Sequence, residues 1–385
     1  MRDSFLSFSP PFIGAEEIAE VVDTLSTDWI TTGPKTRKFE SEFARYIGAP
    51  GALAVSSATD AMQVGLAALG VQPGDEVITT SMTFCSTVHV IEHLGARPVL
   101  VDVEGDTLCI DPRAVERAVT EKTRGLLPVH IYGHPCDLDP LLELAAARGL
   151  FVLEDAAHAL PARYKGRMVG TIGTATAFSF YATKNMTTAE GGMLTAGPGL
   201  IERARVWSLH GMSRDAYMRY SAEGSWFYEV VLPGFKCNMT DIQASLGLQQ
   251  LKKLAHFQER RREVVRRYQA AFGEVAELQV PVERTGCESA WHIYPLRLNL
   301  DMLTIGRNQF IEELKARQIG TSVHFIPIHL HPYYREKYHY SPGDFPVAYT
   351  NYQRLVSLPL HPRLSEQDVD DVVEAVSDVI AKHRR

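Results

Sequence analysis

The 385-residue sequence lacks the features of secreted and membrane-spanning proteins. Its five cysteines are widely spaced and form no Cys-x-x-Cys pair, which indicates reduced thiols rather than a disulfide framework. No apolar run approaches the roughly 18–20 residues that cross a bilayer, and the first residues lack the apolar segment of a signal peptide. We therefore predict a cytoplasmic protein without a membrane partner.

The sequence also lacks the features of several classes of binding protein. The net charge is −7, from 39 basic and 46 acidic residues, and this argues against nucleic acid as a partner. Neither a Walker A sequence nor Gly-x-Gly-x-x-Gly occurs, which excludes the commonest nucleotide-binding motifs. The histidines between His324 and His331 are interrupted by Pro327 and fit no usual metal spacing, so we expect no metal. We interpret that segment as a polar substrate-binding loop, with a structural loop as the alternative.

The pattern of apolar residues indicates two domains. Short apolar strands alternate with helices, which predicts a mostly parallel sheet covered by helices on both faces. The predicted strands lie at 53–56, 77–80, 98–103, 125–131, 150–153, 174–181 and 193–195. The chain then changes character, and we predict further elements at 246–272 (helix), 292–298 (strand), 308–317 (helix), 321–326 (strand) and 366–382 (helix). The sequence thus predicts a large α/β domain over 1–245 and a small C-terminal α+β domain over 246–385.

One lysine, Lys184, follows a predicted strand and has no charged neighbour until Glu190. Burial disfavours the ammonium form, and the neutral amine is the form that attacks a carbonyl to make a Schiff base. A lysine that extends from a loop into solvent would explain this window equally well.

Three other strand ends carry residues with potential chemistry. Asp155 ends a buried strand, where a carboxylate can hold a protonated ring nitrogen or can simply cap a helix. Ser57 and Thr59 open a helix, where phosphate or ordinary capping are both possible. Phe84 follows the next strand and could stack on a planar ring or belong to the core. Because ligands bind at the carboxyl ends of parallel strands, the combination with Lys184 is what a pyridoxal phosphate enzyme requires.

With these residues in view, the chain resembles the DegT/DnrJ/EryC1/StrS sugar-nucleotide aminotransferases, a family of fold type I pyridoxal phosphate enzymes. The resemblance covers nearly the whole chain. It rests on the motifs at 29–35, 56–59, 154–158, 178–185, 190–192 and 238–243. Within the family, residues 290–292 and 320–325 are most similar to 4-aminotransferases of the UDP-4-amino-4-deoxy-L-arabinose type.

The resemblance implies a role for each matching residue around the cofactor, pyridoxal 5′-phosphate. Lys184 would link covalently to the cofactor and carry the proton in transamination. Asp155 would hold the ring nitrogen, His158 would lie near the phenolic oxygen, and Phe84 would stack on the ring. The residues implied for the phosphate are Ser57, Ala58, Ser179 and, from the neighbouring subunit of a homodimer with shared sites, Asn238.

The implied substrate is a nucleotide-linked keto sugar, with L-glutamate as the amino donor. The residues implied to approach the sugar nucleotide are Trp29, Thr31, Thr32, Lys35, Tyr181, His324 and His329. Tyr181 is a departure from this resemblance, because the arabinose-type enzymes look to have a histidine at that position. Residues 185–192 resemble the branch that aminates C4, and we predict ping-pong transfer to C4 of a 4-keto sugar for amino-sugar or surface-glycan biosynthesis.

Three alternatives stay open. The first is a family member that aminates C3. The second is a related 3-dehydratase. The resemblance implies a histidine at the position of Lys184 in that branch, so Lys184 argues against it. The third is a non-catalytic regulator, since a fold alone does not fix a function.

Overall fold

The predicted alternation of strands and helices is present in the computed structural model, which describes residues 2–212 and 227–385. The strands in these ranges are β1 Ala52–Val55, β2 Glu76–Thr80, β3 Arg97–Val101, β4 Thr123–Leu127, β5 Phe151–Asp155, β6 Arg163–Tyr164, β7 Arg167–Met168, β8 Ala175–Ser179, β9 Gly192–Ala196, β10 Leu278–Gln279, β11 Cys287–Glu288, β12 Tyr294–Leu298 and β13 Leu355–Leu358. The helices are α1 Ala15–Leu25, α2 Pro34–Ile47, α3 Ala58–Ala68, α4 Ser86–His93, α5 Pro112–Ala118, α6 Leu138–Arg148, α7 Pro198–Ser208, α8 Asp241–Phe272, α9 Arg307–Ala316, α10 Pro332–Tyr338, α11 Pro346–Arg354 and α12 Glu366–His383.

The central sheet has the strand order β1-β9-β8-β5-β4-β2-β3. Neighbouring strands from β8 through β5, β4 and β2 to β3 run parallel, and β9 pairs antiparallel with both β8 and β1. This confirms the prediction of a mostly parallel sheet. The parallel arrangement brings the carboxyl ends of β2, β4, β5 and β8 to one edge, where ligand sites form in such sheets.

Helices cover both faces of this sheet, as the continuous apolar strands predict. In β1, Leu53 and Val55 enter the apolar cluster on one face, whereas Ala52 and Ala54 enter the cluster on the other. Successive residues of a strand point to opposite faces, so a short apolar run supplies both layers. The first layer contains α3 and α7, and the second contains α2 and the beginning of α8.

Helix α8 begins at Asp241, five residues before the predicted start. Thr240 and Gln243 form a capping box, in which the Thr240 hydroxyl accepts from the Gln243 amide. The first half of α8 packs against α2 and the sheet, and the second half, including Tyr268, packs into the C-terminal core. Residue 245 therefore lies within a helix that contacts both parts of the chain, and the division into domains at that residue stays a prediction.

The C-terminal part contains an antiparallel sheet, β10-β12-β13, packed with α9 and α12. The closing helix begins with a capping box of Ser365 and Asp368. The predicted strand over 321–326 is wrong: only Ser322 pairs there, with Ser357. The remainder is a loop that carries His324 and Phe325 to the edge of the central sheet.

The apolar residues of helix α1 recur at helical spacing, but the stripe that they form faces outward. Ile18, Val22 and Leu25 are 59%, 55% and 58% exposed. These three side chains lie at positions i, i+4 and i+7 and form one apolar stripe on the surface of the single chain. Among the helices of the two described ranges, none combines the length and apolarity required to cross a membrane.

Candidate active site

A cavity of about 510 Å³ opens at the carboxyl ends of the central strands. It is lined by Ser57, Ala58, Thr59, Met62, Thr83, Phe84, Ser86, Val129, Asp155, Ala157, His158, Ser179, Tyr181, Thr183, Lys184, Glu190, Gly191, His292, His324 and Phe325. Ten of the residues singled out from the sequence are therefore brought together from separate strand ends. They are Ser57, Ala58, Thr59, Phe84, Asp155, His158, Ser179, Tyr181, Lys184 and His324.

Lys184 lies on the turn that follows β8, and its backbone amide donates to the Tyr181 carbonyl at 2.9 Å. Burial lowers the pKa of its ammonium group to about 8, and the nearby charge of Asp155 opposes that shift. At neutral pH the side chain is then the neutral amine in about a tenth of the molecules, roughly 200 times the fraction for an ordinary lysine. Burial in the cavity wall, rather than repulsion by a neighbouring positive charge, thus makes the amine of Lys184 nucleophilic.

Asp155 is the last residue of β5, and each of its two carboxylate oxygens accepts one hydrogen bond. Oδ1 accepts from the Ala157 amide at 3.0 Å, and Oδ2 accepts from the Thr87 hydroxyl at 2.8 Å. Thr87 is in turn 2.8 Å from the Thr83 hydroxyl. Burial raises the pKa of Asp155, while these two donors and the charge of Lys184 act in the opposite direction. The bonds fix the direction of the carboxylate toward the cavity.

His158 and His292 are neutral histidines of opposite tautomer. The Tyr132 amide donates to Nδ1 of His158 at 3.2 Å, so the proton of this ring is on Nε2. Burial holds the pKa of both rings well below the usual value for histidine. Nδ1 of His292 lies 3.0 Å from Oδ1 of Asn185, whose amide nitrogen donates elsewhere, so this Nδ1 carries the proton. The two ring centroids are 4.5 Å apart.

The first turn of α3 forms one end of the cavity. Ser57 is the N-cap, and its hydroxyl accepts from the Asp60 amide at 3.1 Å. Gly192 of β9 approaches so closely that a Cβ atom there would lie 2.3 Å from the Ser57 carbonyl carbon. The strand therefore presses against the start of the helix, where free backbone N–H groups favour an anion. The Ser57 hydroxyl also donates to Asp60, at 2.7 Å.

Aromatic rings border the open side of the cavity. Phe84 is 57% exposed, and its ring centroid lies 5.8 Å from that of Phe325. An apolar ring with half of its surface free in a cavity can stack on a planar ligand. Tyr181 is exposed on the same wall, and His324 stacks on Phe8 at 5.3 Å. Burial lowers the pKa of His324 to about 4, so this ring is neutral as well.

Four predicted residues lie together outside the cavity, around the start of α8. Trp29 donates through Nε1 to the Thr32 carbonyl at 2.8 Å, and the Thr31 carbonyl accepts from the Asp241 amide. Asn238 donates through Nδ2 to the Thr32 hydroxyl at 2.5 Å. Among the described residues that line the cavity of the single chain, none belongs to this group.

Two further predicted residues are placed elsewhere. Lys35 forms ion pairs with Glu20 at 2.7 Å and Asp23 at 2.6 Å, so its charge is already paired. His329 is fully buried, and its ring centroid lies 4.8 Å from that of Phe345. It is absent from the described cavity lining, and its placement offers no surface to a ligand there. In the described part of the chain no cluster of His, Cys, Asp and Glu side chains could hold a metal ion.

The site also contains residues that sequence reasoning missed. Thr87 lies in the first turn of α4 and Thr83 in the loop before it, and their hydroxyls reach Asp155 only through the folding of that loop. His292 lies within a segment whose resemblance was noted, but its place in the cavity depends on the hydrogen bonds of that segment with Tyr132 and Gly133. Phe325 was assigned to a strand, although it lies in a loop.

The residues present fit pyridoxal phosphate. The site offers a lysine of lowered pKa, an oriented carboxylate, a helix start for the phosphate and an exposed aromatic ring, each on a different strand end. Together with the central sheet, they define a pyridoxal phosphate-dependent aminotransferase of fold type I.

Comparison with known proteins agrees with this class. The chain belongs to the DegT/DnrJ/EryC1/StrS aminotransferase family, whose sequence pattern matches residues 11–377. It is 52% identical over 381 residues to SpsC of Bacillus subtilis, a spore coat polysaccharide biosynthesis protein, with 98% of each chain covered. It is 50% identical over 385 residues to the uncharacterized protein MJ1066 of Methanocaldococcus jannaschii, with both chains fully covered.

A solved structure shares the whole fold. Spr1654 of Streptococcus pneumoniae, a proposed sugar aminotransferase, superposes in its PMP form with a TM-score of 0.92 and 38% identity. The match covers 98% of this chain and 99% of that one. The PLP form of the same protein matches with a TM-score of 0.91.

Proposed function

We propose that this aminotransferase moves the amino group of L-glutamate to C4 of a nucleotide-linked 4-keto sugar. The observation that carries the proposal is Lys184, whose pKa is lowered to about 8 beside the buried carboxylate of Asp155. A sugar acceptor is supported by the similarity to SpsC and to Spr1654, which are described as acting in polysaccharide biosynthesis and on sugars. The C4 position is supported by residues 185–192, and the subgroup we propose is the UDP-4-amino-4-deoxy-L-arabinose type.

Each half-reaction needs a proton moved at the carbon that exchanges its amino group. When bound, pyridoxal phosphate supplies the electron sink and carries the amino group between the two substrates. Lys184, after release from its covalent link, holds that proton on Nζ and returns it, since an amine with a pKa near 8 exchanges protons readily at neutral pH. The Asp155 carboxylate keeps a positive charge on the ring nitrogen favourable in a buried site.

The other residues bind and orient. The backbone N–H groups at the start of α3, with Ser57, Ala58 and Ser179, hold the phosphate. His158 offers its Nε2–H to the phenolic oxygen, because Nδ1 is occupied by the Tyr132 amide. Phe84 covers one face of the ring. Tyr181 and His324 line the open side, which we assign to the sugar.

We further propose a homodimer in which each subunit completes the site of the other. The apolar stripe of α1 and the exposed Trp29 and Ile30 are surfaces that a second copy would cover. Asn238 and the segment at 29–32 lie outside the cavity of their own chain, where they could contribute to the site of a partner subunit. This arrangement explains why the predicted substrate residues are only partly gathered within one chain.

Complementation between two inactive variants tests the shared site. Lys184→Ala removes the lysine, and Asn238→Asp places a negative charge where we assign the partner's phosphate. Each homodimer should be inactive. With random pairing half of the dimers are hybrids with one intact site each, so the coexpressed mixture should recover about a quarter of wild-type activity. A mixture no more active than its components, in protein that sediments as a dimer, would contradict the shared site.

The proposed reaction is tested in two stages. Protein purified with pyridoxal phosphate should show visible absorbance from the lysine-linked cofactor, and L-glutamate should bleach that band and release 2-oxoglutarate. The bleached protein should then aminate a 4-keto sugar nucleotide, with the new C–N bond located at C4 by NMR. Amination of only 3-keto sugars would overturn the C4 assignment. A protein without cofactor absorbance would favour the regulator alternative.

A further inference from the structure

The carboxamide of Asn185, the residue after Lys184, is held by three hydrogen bonds. Its Nδ2 donates to the carbonyl of Leu160 and to the carbonyl of Ala290, both at 2.8 Å. Its Oδ1 accepts from Nδ1–H of His292 at 3.0 Å. The carboxamide thus forms all but one of the hydrogen bonds that are open to it, and Asn185 is buried. The turn that carries Lys184 is tied through this one amide to two other segments of the chain.

These two segments are the ones that carry the neighbouring site residues. Leu160 follows His158 by two residues, and Ala290 precedes His292 by two. The His292 amide donates to the Tyr132 carbonyl at 2.9 Å, and the Tyr132 amide donates to Nδ1 of His158. Hydrogen bonds therefore connect Lys184's turn, His292 and His158 in one continuous network within the cavity wall.

His292 stays a neutral ring at neutral pH, with its single proton on Nδ1. The titratable and cationic groups around it are His158, Lys184, Arg261 and His324, and burial together with these groups holds the pKa of His292 well below the usual value. The Arg261 guanidinium donates to the backbone carbonyls of Trp291, His292 and Leu360, and its positive charge further disfavours protonation of the His292 ring. A permanently neutral ring with one fixed donor is suited to hold a neighbour rather than to act as an acid.

We propose that His292 is a positioning residue for Lys184, which it fixes by donating from Nδ1 to the carboxamide of Asn185. The inference rests on the proposed function, because it concerns the lysine that links to the cofactor. The bond holds the turn of Lys184 in one arrangement, so that Nζ stays at the attack position. Misplacement of a reacting group by about 1 Å can lower a rate by about 100-fold, and an unsatisfied Oδ1 in a buried site favours such a shift.

Two substitutions of similar shape separate the hydrogen bond from the packing. His292→Asn places an amide nitrogen at the position of Nδ1 and keeps the donor. His292→Leu fills a similar position without a donor. The measurement is the rate of covalent attachment when pyridoxal phosphate is mixed with the apo-protein, followed by absorbance over a range of pH. His329→Leu, at a buried histidine outside the cavity, is the matched control.

In the wild type the attachment rate should rise with pH to a plateau, with a midpoint near the Lys184 pKa of about 8. His292→Leu should lower the plateau by about 10-fold or more and leave the midpoint in place, because the lysine stays buried but loses its fixed position. His292→Asn should stay within about 3-fold of wild type, as the donor is kept. His329→Leu should match the wild type.

Two results would overturn the inference. One is attachment by His292→Leu at the wild-type rate. The other is an equal loss in His292→Asn and His292→Leu with the midpoint moved up toward an ordinary lysine, which would indicate that the ring only excludes water.

A double mutant gives a second, independent measurement. If the bond is the route of the effect, Asn185→Ala and His292→Leu together should be no slower than the slower single variant. Additive losses would contradict the proposal. Failure of the wild type itself to attach the cofactor would instead contradict the proposed function, so the two hypotheses are separable.

Discussion

Replacement of Lys184 by alanine is expected to abolish transamination and the covalent attachment of the cofactor while the protein stays folded. The side chain is lost both as the attachment point and as the proton carrier, and proton transfer by a positioned group alone contributes about 10²–10⁴-fold. The turnover number should therefore fall by at least that factor. Borohydride reduction followed by mass spectrometry checks the attachment, and a glutamate-dependent release of 2-oxoglutarate checks the turnover.

A surface lysine provides the control for this experiment. Lys122 is exposed in the turn before β4, away from the cavity, and Lys122→Ala should behave like the wild type in both assays. The circular dichroism spectra of all three proteins should agree. Measurable turnover by a folded Lys184→Ala protein would sink the assignment of this residue.

Replacement of Asp155 by asparagine is expected to slow transamination by about 30-fold or more. Truncating one partner of a buried, hydrogen-bonded charge pair costs about 2–5 kcal/mol, and each 1.36 kcal/mol corresponds to a factor of ten in rate. Asparagine has nearly the same shape. Its oxygen can accept from the Ala157 amide while its amide nitrogen donates to the Thr87 hydroxyl, so the loss reports mainly the charge. The measurement is the rate of glutamate-dependent bleaching in a rapid-mixing experiment.

The neighbouring carboxylate is a matched control on the same strand. Glu154 points to the opposite face of β5, where its oxygens accept from the Gly173 amide, the Thr176 hydroxyl and Nε2 of His130 at 2.8–2.9 Å. Glu154→Gln should lower the thermal stability of the protein, because a buried charged acceptor is lost, but should leave the bleaching rate within a few-fold. If Asp155→Asn bleaches as fast as Glu154→Gln, the ring-nitrogen role is wrong.

Much of the site could be anticipated because its residues follow strands directly. Asp155 and Lys184 come just after the end of a predicted strand, Ser179 lies two residues before the end of one, and a parallel sheet brings such ends to one edge. The strands themselves are visible in the sequence as apolar runs, because both faces of the sheet are buried. Local patterns of this kind need no information about distant parts of the chain.

Contacts between distant segments were beyond such reasoning. His292 enters the cavity because the loop after β11 forms hydrogen bonds with Tyr132 and Gly133, which lie about 160 residues earlier in the chain. The burial of His329 against Phe345 depends in the same way on packing that no local pattern encodes. The strand predicted over 321–326 failed for a related reason, since only Ser322 finds a partner strand and β-pairing requires one.

By itself, the sequence determined the class of fold, the cofactor chemistry and the strand ends that carry it, because hydrophobic periodicity and the residues after each strand are local properties. Only the tertiary structure decided the charge state of Lys184, the tautomers of His158 and His292, and which predicted residues share one cavity. Those properties depend on burial and on hydrogen-bond partners that come from distant segments. A lysine acquires a pKa of about 8 only when the folded chain removes it from water.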